Sequence, residues 1–171
     1  MASSAPPKVA LVIGAGDSTG AAIARRVAKE AYIACVTRRE AGKLTSLVRS
    51  IEDAGGRAYG FGSDARKEDQ VIALIDQIER DIGPIEVLVF NIGANVPCGI
   101  LEETARKYFN IWEMACFSGF LNAREVAKRM VVHGRGTIPF TGATTGLRGS
   151  ANLRHLPALF EIDLRPYMEI S

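Results

Sequence analysis

The 171-residue chain has few of the residues that announce metal, disulfide or membrane chemistry. Its three cysteines, Cys35, Cys98 and Cys116, are odd in number and far apart, with neither the close pairs of a metal site nor the even count of a disulfide framework. Each reads as a small buried hydrophobe in a reducing compartment. The two histidines, His133 and His155, have no ligand-type neighbours at metal spacing and are expected at the surface. Charge of one sign is also missing. Twenty-one Lys and Arg against nineteen Asp and Glu leave +2, too little to imply nucleic acid or a membrane surface as partner. No apolar run approaches the roughly 20 residues of a membrane span. Residues 1–7 lack the basic and apolar parts of a secretory signal, so a cytoplasmic protein is expected. No lysine follows Lys128.

What is present is an ordinary globular balance, 47% hydrophobic and 23% charged, over a length that suits one domain with a full core. Short apolar runs at Lys8–Ile13, Tyr32–Thr37, Arg57–Gly62, Glu86–Asn91 and Thr137–Thr141 read as strands buried on both faces. Helical stripes lie between them, Leu44, Leu47, Val48 and Ile51 in one, Val71, Leu74, Ile75, Ile78 and Ile82 in another. A longer helix over Lys107–Val132 is apolar nearly all round, which suggests a second copy of the chain on its outer side. Strict alternation of strand and helix implies right-handed crossovers and a doubly wound parallel α/β sheet of about five strands, over residues 1–149. The pattern fails after Gly142, and residues 150–171 read as a divergent tail, so the last β-α units of such a fold are expected to be lacking.

The first strand runs into Gly14-Ala15-Gly16-Asp17-Ser18-Thr19-Gly20 and then a helix. Glycine allows the tight turn and close backbone approach, and a helix beginning near Ser18 aims free N–H groups and its positive dipole end at one spot, a seat for pyrophosphate. Taken alone such a turn is a weak signal. The second strand, however, ends about eighteen residues after Gly20, where a dinucleotide-binding unit reads its ribose, and there stand Arg38 and Arg39 without an acid. Guanidinium groups pair with a 2′-phosphate, so NADP is favoured over NAD.

From residue 8 to about 149 the chain resembles the short-chain dehydrogenase/reductase family. Gly14, Gly16 and Gly20 match its glycine motif, with Ser18 in place of the middle glycine. Ser63-Asp64-Ala65 matches the segment whose Asp meets the adenine, and Phe90-Asn91-Ile92-Gly93 keeps two residues of an Asn-Asn-Ala-Gly motif. The resemblance implies a Rossmann-like fold, a nicotinamide dinucleotide held by Gly14, Gly16, Asp17, Ser18, Thr19, Gly20, Arg38, Arg39, Asp64, Ala65, Asn91 and Gly93, and hydride transfer with a carbonyl or secondary alcohol.

It also locates a proton relay of Asn, Ser, Tyr and Lys, and here the chain departs. Those positions carry Cys116, Ala143, Leu156 and Phe160, so no catalytic residue is assigned. Thr141, Thr144 and Thr145 lie near the expected oxygen position, where the plainer reading is a strand-end cap; Tyr167, beside Pro166, is a poor substitute acid. Three outcomes stay open: an impaired NADP-dependent oxidoreductase, a non-catalytic dinucleotide-binding pseudoenzyme or interaction protein, and an inactive fragment. A homo-oligomer is expected, since an incomplete fold leaves apolar sheet edge and helix face uncovered.

Overall fold

A computed structural model describes residues 7–93 and 101–142. Four parallel strands, β1 (Val9–Ile13), β2 (Ile33–Arg38), β3 (Arg57–Gly62) and β4 (Ile85–Phe90), lie in the order β3-β2-β1-β4. Between them run α1 (Thr19–Lys29), α2 (Thr45–Asp53) and α3 (Glu68–Asp81). After β4 come α4 (Ala105–Trp112), a π-helical turn at Glu113–Phe117, and α5 (Ser118–His133). Among the described residues no helix is long and apolar enough to cross a membrane.

Strand alternation places apolar side chains on both faces of the sheet, and each face builds its own core. Val9, Leu11 and Ile13, with Cys35 and Leu88, meet α3 and α5 through Val71, Ile75, Ile78 and Val126. Val12, Ala34, Val36 and Val89 meet α1 and α2 through Ala24, Leu47 and Ile51. Each fully buried Leu, Ile or Val stabilises the fold by about 1.5–3 kcal/mol, so the central strands anchor everything attached to their ends. Polar contacts join α3 to α5: Glu68 pairs with Arg124, Asp76 with Arg129, and Glu79 with His133 at 3.1 Å. His133 is thus exposed as expected but is not isolated. Burial alone would raise the Glu125 carboxyl, but hydrogen bonds from Lys128 and Arg124 outweigh it and hold it below its usual value. Cys35 lies in the core, where burial pushes its thiol up to about 12 and leaves it inert.

Three features differ from the sequence reading. β3 is not buried on both faces. It is the sheet edge, only Ala58 is fully covered, and Gly60 and Gly62 offer nothing to bury. The helix over Lys107–Val132 is not continuous either, because one turn widens to π geometry at Glu113–Phe117. The fifth tract, Thr137–Thr141, runs parallel beside β4 but is tied only by isolated bridges at Val87–Thr137 and Phe90–Phe140. Thr137 N–H donates to Glu86 O, Leu88 N–H to Thr137 O, Phe90 N–H to Pro139 O and Thr141 N–H to Phe90 O, all at 2.9–3.0 Å. The rung absent from this evenly spaced series is the one an N–H at residue 139 would donate to Leu88 O. Pro139 has no N–H to give.

Candidate functional site

The carboxyl ends of β1, β2 and β3 open on a groove of about 300 Å³. Its first wall is the glycine turn after β1. Gly14 has φ of +80°, and a Cβ there would stand 2.8 Å from Asn91 O; a Cβ on Gly20 would stand 2.5 Å from Gly14 O. Neither position tolerates a side chain, because the segment after β4 packs on the turn at Gly14 and α1 packs on it at Gly20. A Cβ on Gly16 would meet nothing nearer than an Arg38 nitrogen at 4.0 Å, so the backbone there faces open space. Ala15 N–H donates to Thr37 O and Gly16 N–H to Gly14 O. Ser18 is the N-cap of α1 and makes no capping bond with its side chain. The amides of Asp17, Ser18, Thr19 and Gly20 donate to nothing among the described residues. Four open donors at a helix N-terminus form a seat for an anion.

Asn91 ties this wall to β4. Its Nδ2 donates to Gly14 O at 2.9 Å, and its Oδ1 accepts from Thr141 Oγ1 at 2.8 Å. The Asn91 side chain therefore holds the turn in place, and Thr141 spends its hydroxyl proton as a strand-end clasp. Gly93 lies beyond, and a Cβ there would meet none of the described residues within 4 Å.

The second wall is cationic. Arg38, at the tip of β2, donates to Asp17 Oδ1 at 3.1 Å and to Lys43 O at 3.4 Å, bridging the glycine turn to the segment after β2. Arg39 lines the groove and has no carboxylate partner among the described residues. Lys43 spends its charge on Glu40 at 2.7 Å, which lowers the Glu40 carboxyl.

The third wall follows β3. Asp64 accepts from Arg66 Nε at 2.9 Å, from the Arg66 second guanidinium nitrogen at 2.6 Å and from Arg66 N–H at 3.1 Å. Hydrogen bonds from the Arg66 side chain hold the Asp64 carboxyl well down, at about 2. Asp64 N–H donates to Gln70 Oε1, and Ala65 O accepts from Asn122 Nδ2 at 3.2 Å. Two buried polar atoms here, Ser63 Oγ and Asn122 Oδ1, have no partner among the described residues.

The sequence reading missed Arg66, Asn122 and Lys43. An Asn inside the apolar run around Leu121 and Ala123 was a usable signal, since a buried amide needs a specific partner. Nothing local marked Arg66. Of the relay positions, Cys116 sits in the π turn, half-buried; burial raises its thiol from the ordinary value, and a contact with Trp112 offsets part of that. Ala143, Leu156 and Phe160 lie outside the described residues, as do Cys98, Thr144, Thr145, His155 and Tyr167. Among the described residues no cluster of three His, Cys, Asp or Glu could hold a metal.

The sequence profile described as short chain dehydrogenase matches residues 8–155. The chain belongs to that family. Its fold is shared with a short-chain dehydrogenase from Rhodopseudomonas palustris, at 45% identity and a TM-score of 0.83 over 89% of this chain and 71% of that one. A metagenomic short-chain oxidoreductase in complex with NADP matches at 27% identity and a TM-score of 0.82, covering 89% of this chain and 70% of the other. An NAD+-bound xylitol dehydrogenase matches at 25% and 0.83, covering 88% and 58%. This short-chain dehydrogenase relative thus lies near proteins holding either nicotinamide dinucleotide. It spans about half the length of the curated relatives it matches.

Proposed function

We propose that the chain binds NADP(H) in this groove and keeps the framework of a short-chain oxidoreductase without an efficient proton relay. The carrying observation is Arg38, bridged to Asp17 on the glycine turn, next to Arg39, which has no carboxylate partner among the described residues. Asp17 is 88% exposed, so water screens its charge, and the pair of guanidinium groups gives the wall a net positive field suited to a 2′-phosphate.

The residues fit the cofactor. The open amides of Asp17, Ser18, Thr19 and Gly20 would hold the pyrophosphate, and Gly14 and Gly16 would let the backbone approach it. Arg38 and Arg39 would hold the 2′-phosphate, and Asp64 and Ala65 would flank the base. Asn91 would fix the turn, and Gly93 would leave room beyond it. When bound, the cofactor supplies or accepts a hydride at a carbonyl or secondary alcohol carbon. The balancing proton then needs a donor. Positioned acid–base groups contribute about 10²–10⁴ in rate. Cys116, a thiol raised by burial, and the apolar Ala143, Leu156 and Phe160 offer no such group.

The test pairs binding with turnover. NADPH should quench the single tryptophan, Trp112, while a panel of ketones and aldehydes leaves the absorbance of reduced cofactor unchanged. Brisk carbonyl-dependent oxidation of NADPH would refute the impaired relay, and absence of binding would refute the cofactor.

The reading carries with it a cytoplasmic location and a homo-oligomer. Phe109 (56% exposed), Phe120 and Tyr108 stand on the outer side of α4 and α5 as an apolar face suited to a second copy. A monomer in light scattering at micromolar concentration would refute that assembly.

A further inference from the structure

Family resemblance makes Asp64 the residue that meets the adenine, yet in this chain its carboxylate already has a partner. Arg66 grips it through two side-chain donors at 2.9 and 2.6 Å, and the Arg66 amide adds a third bond at 3.1 Å. The guanidinium has a second anchor, Glu113 at the start of the π turn, 3.7 Å away. The loop cannot swing the pair aside cheaply. Asn122 holds Ala65 O at 3.2 Å and Gln70 holds Asp64 N–H at 2.8 Å, fixing the backbone on both sides of the carboxylate. Both Asp64 and Arg66 line the groove.

We infer that Arg66 withdraws Asp64 from base reading and sets the base specificity of the groove, so that it takes purine dinucleotides on the flat surface of the Arg66–Asp64 pair and does not distinguish adenine from hypoxanthine. This rests on the NADP(H) reading. The decision lies in relative strengths. Arg66 and Asp64 are both ionised and meet through two parallel bonds, the strong bidentate arrangement. The exocyclic amine of adenine is a neutral donor. Displacing Arg66 with it would exchange a bidentate ionic contact for a weaker single one and leave the guanidinium with Glu113 alone. Oδ1 already takes two donors, and Oδ2 keeps one lone pair on a carboxylate whose charge is matched. An amine reaching that lone pair gains little over water. A planar guanidinium, by contrast, stacks on aromatic faces, and every purine has such a face whatever its edge carries.

The probe is the deaminated cofactor, nicotinamide hypoxanthine dinucleotide phosphate, titrated by calorimetry beside NADPH on the full chain. Its affinity should lie within about threefold of that of NADPH, whereas a site reading the amino group loses about tenfold or more. Arg66→Ala frees Asp64 and should raise the ratio to about tenfold; the backbone bond from residue 66 to Asp64 remains in that variant. A wild-type ratio of ten or more, with NADPH bound, overturns the inference and leaves the cofactor reading intact. An unchanged ratio in Arg66→Ala overturns it too. Failure of NADPH itself to bind removes the cofactor reading instead. The wild-type ratio stands without the variant, should Arg66→Ala not fold.

Discussion

The two sides of β4 carry very different amounts of constraint. Toward β1 it shares five registered parallel pairs and the Asn91 clasp on Gly14, so the glycine turn is fixed from below and behind. Toward Thr137–Thr141 it has two isolated bridges and a rung that Pro139 cannot supply. The tight side presents backbone amides, which no substitution short of proline removes. The loose side neighbours the α4–α5 segment, where function depends on side-chain identity and position 116 is Cys. On the proposed function, a seat made of backbone would persist while side-chain chemistry beside it changes, and the family fold would outlive its relay.

That contrast can be broken most severely at Gly20. A Cβ 2.5 Å from Gly14 O forces α1 off the turn, so Gly20→Ala should lose dinucleotide binding and about 1–3 kcal/mol of stability, read by calorimetry and by urea unfolding. Next comes the β2 tip. Arg38→Glu should weaken NADPH about ten- to hundredfold while leaving NADH within a few-fold, because a charge-assisted contact of about 1.5–3 kcal/mol is removed for one cofactor only. Asn91→Ala cuts the clasp between the tight side and Thr141, leaving Gly14 O with the Gly16 N–H alone; a stability loss of about 1–2 kcal/mol is expected from thermal unfolding.

Acid sharpens the comparison at the third wall. Asp64 titrates near 2 when folded and near the usual value of about 4 when unfolded, with the Arg66 hydrogen bonds as the leading cause. Its contribution is therefore present above about pH 4 and is lost as pH falls through about 2. Stability followed from pH 5 to 2 should show this limb, and Asp64→Asn should flatten it. The smallest effect belongs to α4, whose N-cap Thr104 accepts from Lys107 N–H at 3.2 Å: Thr104→Ala should cost about 1 kcal/mol and leave cofactor affinity unchanged.

The same division decides how much could be read from sequence. The β1 strand, the turn and the stripes of α2 and α3 were legible because each is a local demand: a short unbroken apolar run, a residue that must lack Cβ, a period of 3.6. Pro139 was legible for the same reason, as a missing donor. The widened turn at Glu113–Phe117 was not, since its residues Glu-Met-Ala-Cys-Phe carry no breaker. Nor was the hold of Arg66 on Asp64. An Asp two residues before an Arg is common on any surface, and only the loop fixed by Asn122 and Gln70 makes the pair a wall of the groove. Contacts between elements distant in sequence leave no local signature.

Side-by-side calorimetry with NADPH and NADH on the unaltered chain tests the central claim most directly. Saturable heat with NADPH, at an affinity about tenfold or more above that of NADH, is the expected result if Arg38 and Arg39 hold the 2′-phosphate as proposed. Silence with NADPH, or equal affinity for the two, would contradict it.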